Sequence, residues 1–109
     1  MRLDEQVRLI IAINHAWKRQ RQIWGAESAC AKILQGRKSS LQTQLLTTFP
    51  TDTYLKLDTE NNEGEPLYSV RLRQPILLDK LVRTNAEHIP QRIAEELLTS
   101  KQIAQRLEV

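Results

Sequence analysis

Apolar and polar positions along the chain follow two rhythms, and the change between them falls near residue 50. Leu3, Val7, Ile10, Asn14, Trp17, Arg21 and Trp24 repeat every three or four positions, and Leu9, Ile13, Ala16 and Ile23 widen the stripe. This spacing predicts a long amphipathic helix over residues 3–23 with a broad buried face. Arg8, His15, Lys18, Arg19 and Gln22 fall on its wet side, and Asp4 stands near its start, where the helix dipole favours an acid. Both tryptophans are expected in the core, with the Arg21 stem alongside them. Gly25 ends this helix, and Glu27–Leu34 is predicted as a short second one that buries Ala31 and Leu34 and stops at Gly36. Ser39 or Ser40 then caps a third, in which Leu41, Leu45 and Phe49 recur at four-residue intervals before Pro50.

Beyond Pro50 the period becomes two. Thr53, Leu55 and Leu57 alternate with Tyr54, Lys56 and Asp58, and Tyr68, Val70 and Leu72 alternate with Ser69, Arg71 and Arg73. Two antiparallel strands over 54–58 and 67–73 are predicted, joined through Asn61-Asn62-Glu63-Gly64, residue types that tolerate turns. Ile76–Val82 and Pro90–Leu107 return to helical spacing, with Thr99 or Ser100 a point of interruption. The fold class expected is α+β: three N-terminal helices, a β-hairpin and a helical C-terminal tail, in a single domain over residues 1–109.

Composition narrows the function classes. The 109 residues suffice for one core, and 40% hydrophobic with 27% charged residues is ordinary globular usage. The longest apolar run, Leu9–Ile13, is far too short for a membrane span, and Asp4 and Glu5 do not suit a signal peptide, so a cytoplasmic protein without a membrane partner is expected. A single Cys30 with His15 and His88 offers no paired metal-ligand spacing and no redox dithiol, so neither metal nor cofactor is expected. No nucleophile pair or carboxylate pair is implied by spacing, and the chain is read as a binding protein rather than an enzyme. Charge is uneven: residues 1–50 hold eight Lys or Arg against three Asp or Glu, a surplus of five, whereas residues 51–109 hold eight against ten. A polyanion would meet the first half.

Ala31, Leu34 and Leu41 have the spacing at which a small residue lies where two helices cross, a leucine precedes the turn, and an apolar residue anchors the next helix. With the hairpin that follows, residues 3–73 resemble the winged helix-turn-helix of DNA-binding proteins. The resemblance implies a groove-entering helix that starts at Arg37-Lys38-Ser39-Ser40. Arg37 and Lys38 would then reach phosphates or guanine edges, Gln42 and Thr43 would read bases, and Lys18 and Arg19 of the first helix would add backbone contacts. Duplex DNA is the implied partner and transcriptional regulation the implied role. Asp58, Glu60, Glu63 and Glu65 crowd the wing tip, so the wing is not expected to grip phosphate. The competing reading is a protein-interaction module without a nucleic-acid role, docking a protein or a second copy of the chain through residues 76–107.

Overall fold

The computed structural model describes residues 1–61 and 63–108. Helix α1 (Leu3–Trp24) buries Val7, Ile10, Asn14 and Trp17, as its stripe requires, with Asp4 and Glu5 in the first turn and Arg21 in the last. Gly25, at φ +91°, turns the chain out of the helix and donates its N–H to the Arg21 carbonyl at 2.9 Å. Trp24 departs from expectation. It is 70% exposed, because the apolar stripe runs a turn longer than the surface it packs on.

Helix α2 (Ala29–Thr48) corrects the reading of residues 27–49. Ser28 caps it by accepting from the Ala31 N–H at 3.2 Å, and the helix then runs through Gly36 without a break. Two N-terminal helices therefore replace the three expected, and the turn required by a helix-turn-helix is not formed. A mid-helix glycine costs only about 1 kcal/mol relative to alanine. The continuous seam of Ala31, Lys38, Ser39, Gln42, Leu45 and Leu46, all buried, outweighs that cost. A Cβ at Gly36 would meet nothing within 4 Å, and its φ lies outside the positive range. Gly36→Ala is accordingly expected to stabilise the protein by roughly 0.5–1 kcal/mol in urea unfolding. Destabilisation would indicate a bend at that position.

Strands β1 (Thr53–Asp58) and β2 (Leu67–Leu78) pair antiparallel, as expected, with Leu55 opposite Val70 and Leu57 opposite Tyr68. Leu55, Val70 and Leu72 are buried as expected, whereas Leu57 is 48% exposed. Asn62, in the expected turn, lies outside the described residues. The stretch read as a helix at 76–82 is instead the end of β2, a turn at Asp79 and Lys80 (φ +50° and +68°), and the start of β3 (Leu81–Pro90). Short apolar runs such as Ile76-Leu77-Leu78 have no period that separates strand from helix, and Asp-Lys lacks the glycine that usually marks such a turn. The sheet order is β1-β2-β3, all antiparallel.

Two irregularities shape β2 and β3. Between the pairs Ser69–His88 and Arg71–Asn85, Ala86 and Glu87 together face Val70. This β-bulge holds Glu87 at φ +66°. The second shift, between Arg71 and Ile76, contains Pro75, which has no N–H for the ladder. The C-terminal part matches the predicted interrupted helix: α3 (Gln91–Leu97) and α4 (Ser100–Arg106) are separated at Thr99, which forms a capping box with Gln102. One core joins the layers: Val7 and Ile10 of α1, Leu45 and Leu46 of α2, Leu55, Val70 and Ile89 of the sheet, and Ile93 and Ile103 of the tail. Among the described residues no helix is long and apolar enough to cross a membrane.

Candidate functional site

The seam of α2 sets the position of Lys38. Ala31 and Leu45 lie seven residues before and after it on the same face, so the Lys38 stem must run inward with theirs. Lys38 is only 3% exposed. Its Nζ lies 4.3 Å from the centre of the Trp17 ring, and the guanidinium carbon of Arg21 lies 4.3 Å from the same ring. Arg21 follows Trp17 by one helical turn, which places its guanidinium over the indole.

These groups line a cleft of about 700 Å³ between the helical pair on one side and β3 and α3 on the other. Its carboxylates are mostly engaged. Glu63, just before β2, pairs with Arg21 at 2.5 Å, and Glu65 pairs with Arg92 of α3 at 2.9 Å. Glu87 accepts from Arg83 at 2.6 Å through one oxygen and from Asn14 at 3.1 Å through the other. Nearby, His88 Nε2 lies 2.9 Å from an Asp58 oxygen. Glu63 and Glu65 are thus docked against helices and do not form the free acidic tip expected of a wing.

Lys38 is the exception. Among the described residues its ammonium makes no hydrogen bond and no ion pair. Burial, with smaller contributions from Lys18 and Arg21, pulls the Lys38 ammonium down from 10.5 to about 8 against the opposing effect of Glu87 and Glu63. At neutral pH it still carries its proton. The cleft therefore has a desolvated cation on its wall, an aromatic ring beneath that cation, and, in Lys18, a second lining cation without an ion pair among the described residues.

The eight residues expected at a nucleic-acid surface separate into three groups. Lys38 and Lys18 meet at the cleft. Arg19, Arg37 and Ser40 are exposed and lie outside its lining. Ser39, Gln42 and Thr43 are buried, so the base-reading role expected for Gln42 and Thr43 is corrected. Gln42 Nε2 instead donates to the carbonyls of Ala86 at 2.8 Å and His88 at 3.1 Å, on either side of the bulge residue Glu87. Thr43 Oγ1 donates to the Ser40 carbonyl at 3.0 Å. Once α2 is continuous, positions 38, 39 and 42 turn toward α1 and β3, and there is no exposed helix start to present them.

Residues 76–107, expected to dock a partner, divide among the β2–β3 ribbon, α3 and α4. Leu77, Leu81 and Val82 are exposed at the ribbon's end. Among the described residues no group of three or more His, Cys, Asp or Glu is placed to hold an ion. Comparison with protein-family models, curated proteins and solved structures gives no match.

Sequence reasoning missed Asn14, Glu63 and Glu87 as parts of a site. The Trp17–Arg21 spacing was a legible signal, but it reads equally well as core packing. Glu87 gave no signal, because its position depends on the bulge.

Proposed function

We propose that the protein is a binding module that takes an anionic group into this cleft, with the Lys38 ammonium as its anchor. One observation carries the reading: a side chain protonated at neutral pH is almost wholly buried and lacks an anionic partner among the described residues. Buried charges are normally paired, because removing one from water costs several kcal/mol. The Trp17 face offsets only about 1–2 kcal/mol of that cost. An anion at Nζ supplies the missing partner, and Lys18 at the cleft favours its approach.

A nucleic-acid role rests on a different observation. Lys18, Arg19 and Arg37 are exposed and make no ion pair among the described residues, so they are available to backbone phosphates without a recognition helix. A cytoplasmic setting agrees with the exposed free thiol of Cys30.

Calorimetric titration of inorganic phosphate and of glutarate at pH 7 tests the cleft. Lys38→Met is expected to weaken binding by about tenfold or more, the worth of a charge-assisted hydrogen bond. Equal binding by both proteins removes the anchor role from Lys38. In the same series, generic duplex DNA at two salt concentrations tests the phosphate surface. For each phosphate that an Arg19→Ala, Arg37→Ala variant no longer neutralises, the log–log salt slope should become shallower by about 0.9.

A further inference from the structure

Three cations of the cleft already hold carboxylates: Lys32 holds Glu27 of its own helical region, and Arg21 and Arg92 hold two that come from one short peptide segment. Glu63-Gly64-Glu65 precedes β2; Glu63 reaches Arg21 on α1, and Glu65 reaches Arg92 on α3. Gly64, at φ +76°, turns the backbone between them so that each acid meets a different helix. The Arg21–Glu63 pair is about one-third exposed on each side, and the Arg92–Glu65 pair is more open. Lys38, which lines the same cleft, pairs with no carboxylate among the described residues.

We propose that Glu63-Gly64-Glu65 is a resident occupant of the cleft, and that the partner it stands in for is an acidic peptide segment of another protein. The inference rests on the reading of Lys38 as an anion anchor. A segment with three carboxylates can satisfy Arg21, Arg92 and Lys38 together, whereas Glu63 and Glu65 reach only Arg21 and Arg92. The occupant already seated there is a piece of peptide with side-chain carboxylates, and this favours a peptide over a nucleic acid. Lining acids point the same way: Glu27, Glu87 and Glu96 would face a continuous phosphate backbone at close range, but a peptide can place neutral residues opposite them. The bound state exchanges two partly exposed ion pairs for the same two plus a desolvated third. Since partly exposed pairs are weak, the resident segment is displaced readily.

The test uses the full chain and a fluorescein-labelled Glu-Gly-Glu-Ser-Gly-Glu peptide, three carboxylates set among neutral residues, with anisotropy as the readout. Glu63→Gln, Glu65→Gln is expected to bind the peptide roughly three- to tenfold tighter than the unaltered protein, because the resident carboxylates no longer compete. A control variant, Glu60→Gln, Glu95→Gln, removes the same charge outside the cleft lining and should leave affinity unchanged. Lys38→Met should weaken peptide binding in either background. If Lys38→Met weakens binding while the Glu63, Glu65 variant binds no tighter than the control, the resident-occupant proposal is overturned and the anchor reading stands. If Lys38→Met has no effect, the anchor reading itself falls. A larger increase in affinity for labelled duplex DNA than for the peptide in the Glu63, Glu65 variant would overturn the choice of an acidic peptide as partner.

Discussion

Replacing Lys38 with methionine is expected to make the protein more stable at pH 7, by up to about 3 kcal/mol, and the gain should shrink as pH rises. The folded protein holds this ammonium at about 8 against an ordinary 10.5, so between those values the unfolded chain binds a proton that the folded chain does not. Stability of the unaltered protein therefore climbs from pH 8 to pH 10.5, and the penalty of burying the charge is fully present below pH 8. The drop from 10.5 to about 8, at about 1.36 kcal/mol per pH unit, sets the ceiling of about 3 kcal/mol. Methionine keeps most of the buried stem and gives up the cation's attraction to Trp17, which reduces the gain by about 1 kcal/mol. Urea unfolding of both proteins from about pH 6.5 to about pH 10 measures the difference directly, and other titrating groups cancel in the comparison. A variant less stable than its parent at pH 7 would show that Lys38 has a partner in the folded state.

Gln42→Ala is expected to destabilise the protein by roughly 3 kcal/mol. The side chain is fully buried, and its amide donates to two backbone carbonyls that flank the β3 bulge. Loss of those two bonds costs about 1 kcal/mol each, and the cavity left by the truncated side chain adds a similar amount. The Gln42 Oε1 atom is buried without a partner, which already costs the folded state something and limits the loss. Because these bonds tie α2 to the segment that carries Glu87, amide exchange at residues 86–89 should accelerate more than exchange in β1. A change under about 0.5 kcal/mol in urea unfolding, without faster exchange at the bulge, would mean that the bulge is held by the strand ladder alone.

Alternation and helical spacing made α1, the β1–β2 pairing and the divided C-terminal helix legible from sequence. Each is decided by residues close in the chain: the stripe from Leu3 to Trp17, the pairs Leu55–Val70 and Leu57–Tyr68, and the Thr99–Gln102 capping box. The continuity of α2 was not legible. Gly36 permits both a turn and a helix, and the choice fell to seam residues whose partners are on α1 and β3. Strand β3 was hidden for a similar reason, since Ile76–Val82 becomes two strands only when β2 supplies a ladder to pair with. The charges of the cleft are plain in the sequence, but nothing local places Glu63 on Arg21 or Glu87 beside Asn14, which are 42 and 73 residues apart. Sequence determined which segments can bury a face. Only the tertiary structure decided that Lys38, exposed at a helix start in the one reading, is drawn by its place on the α2 seam into a low-dielectric wall where its charge has no partner among the described residues.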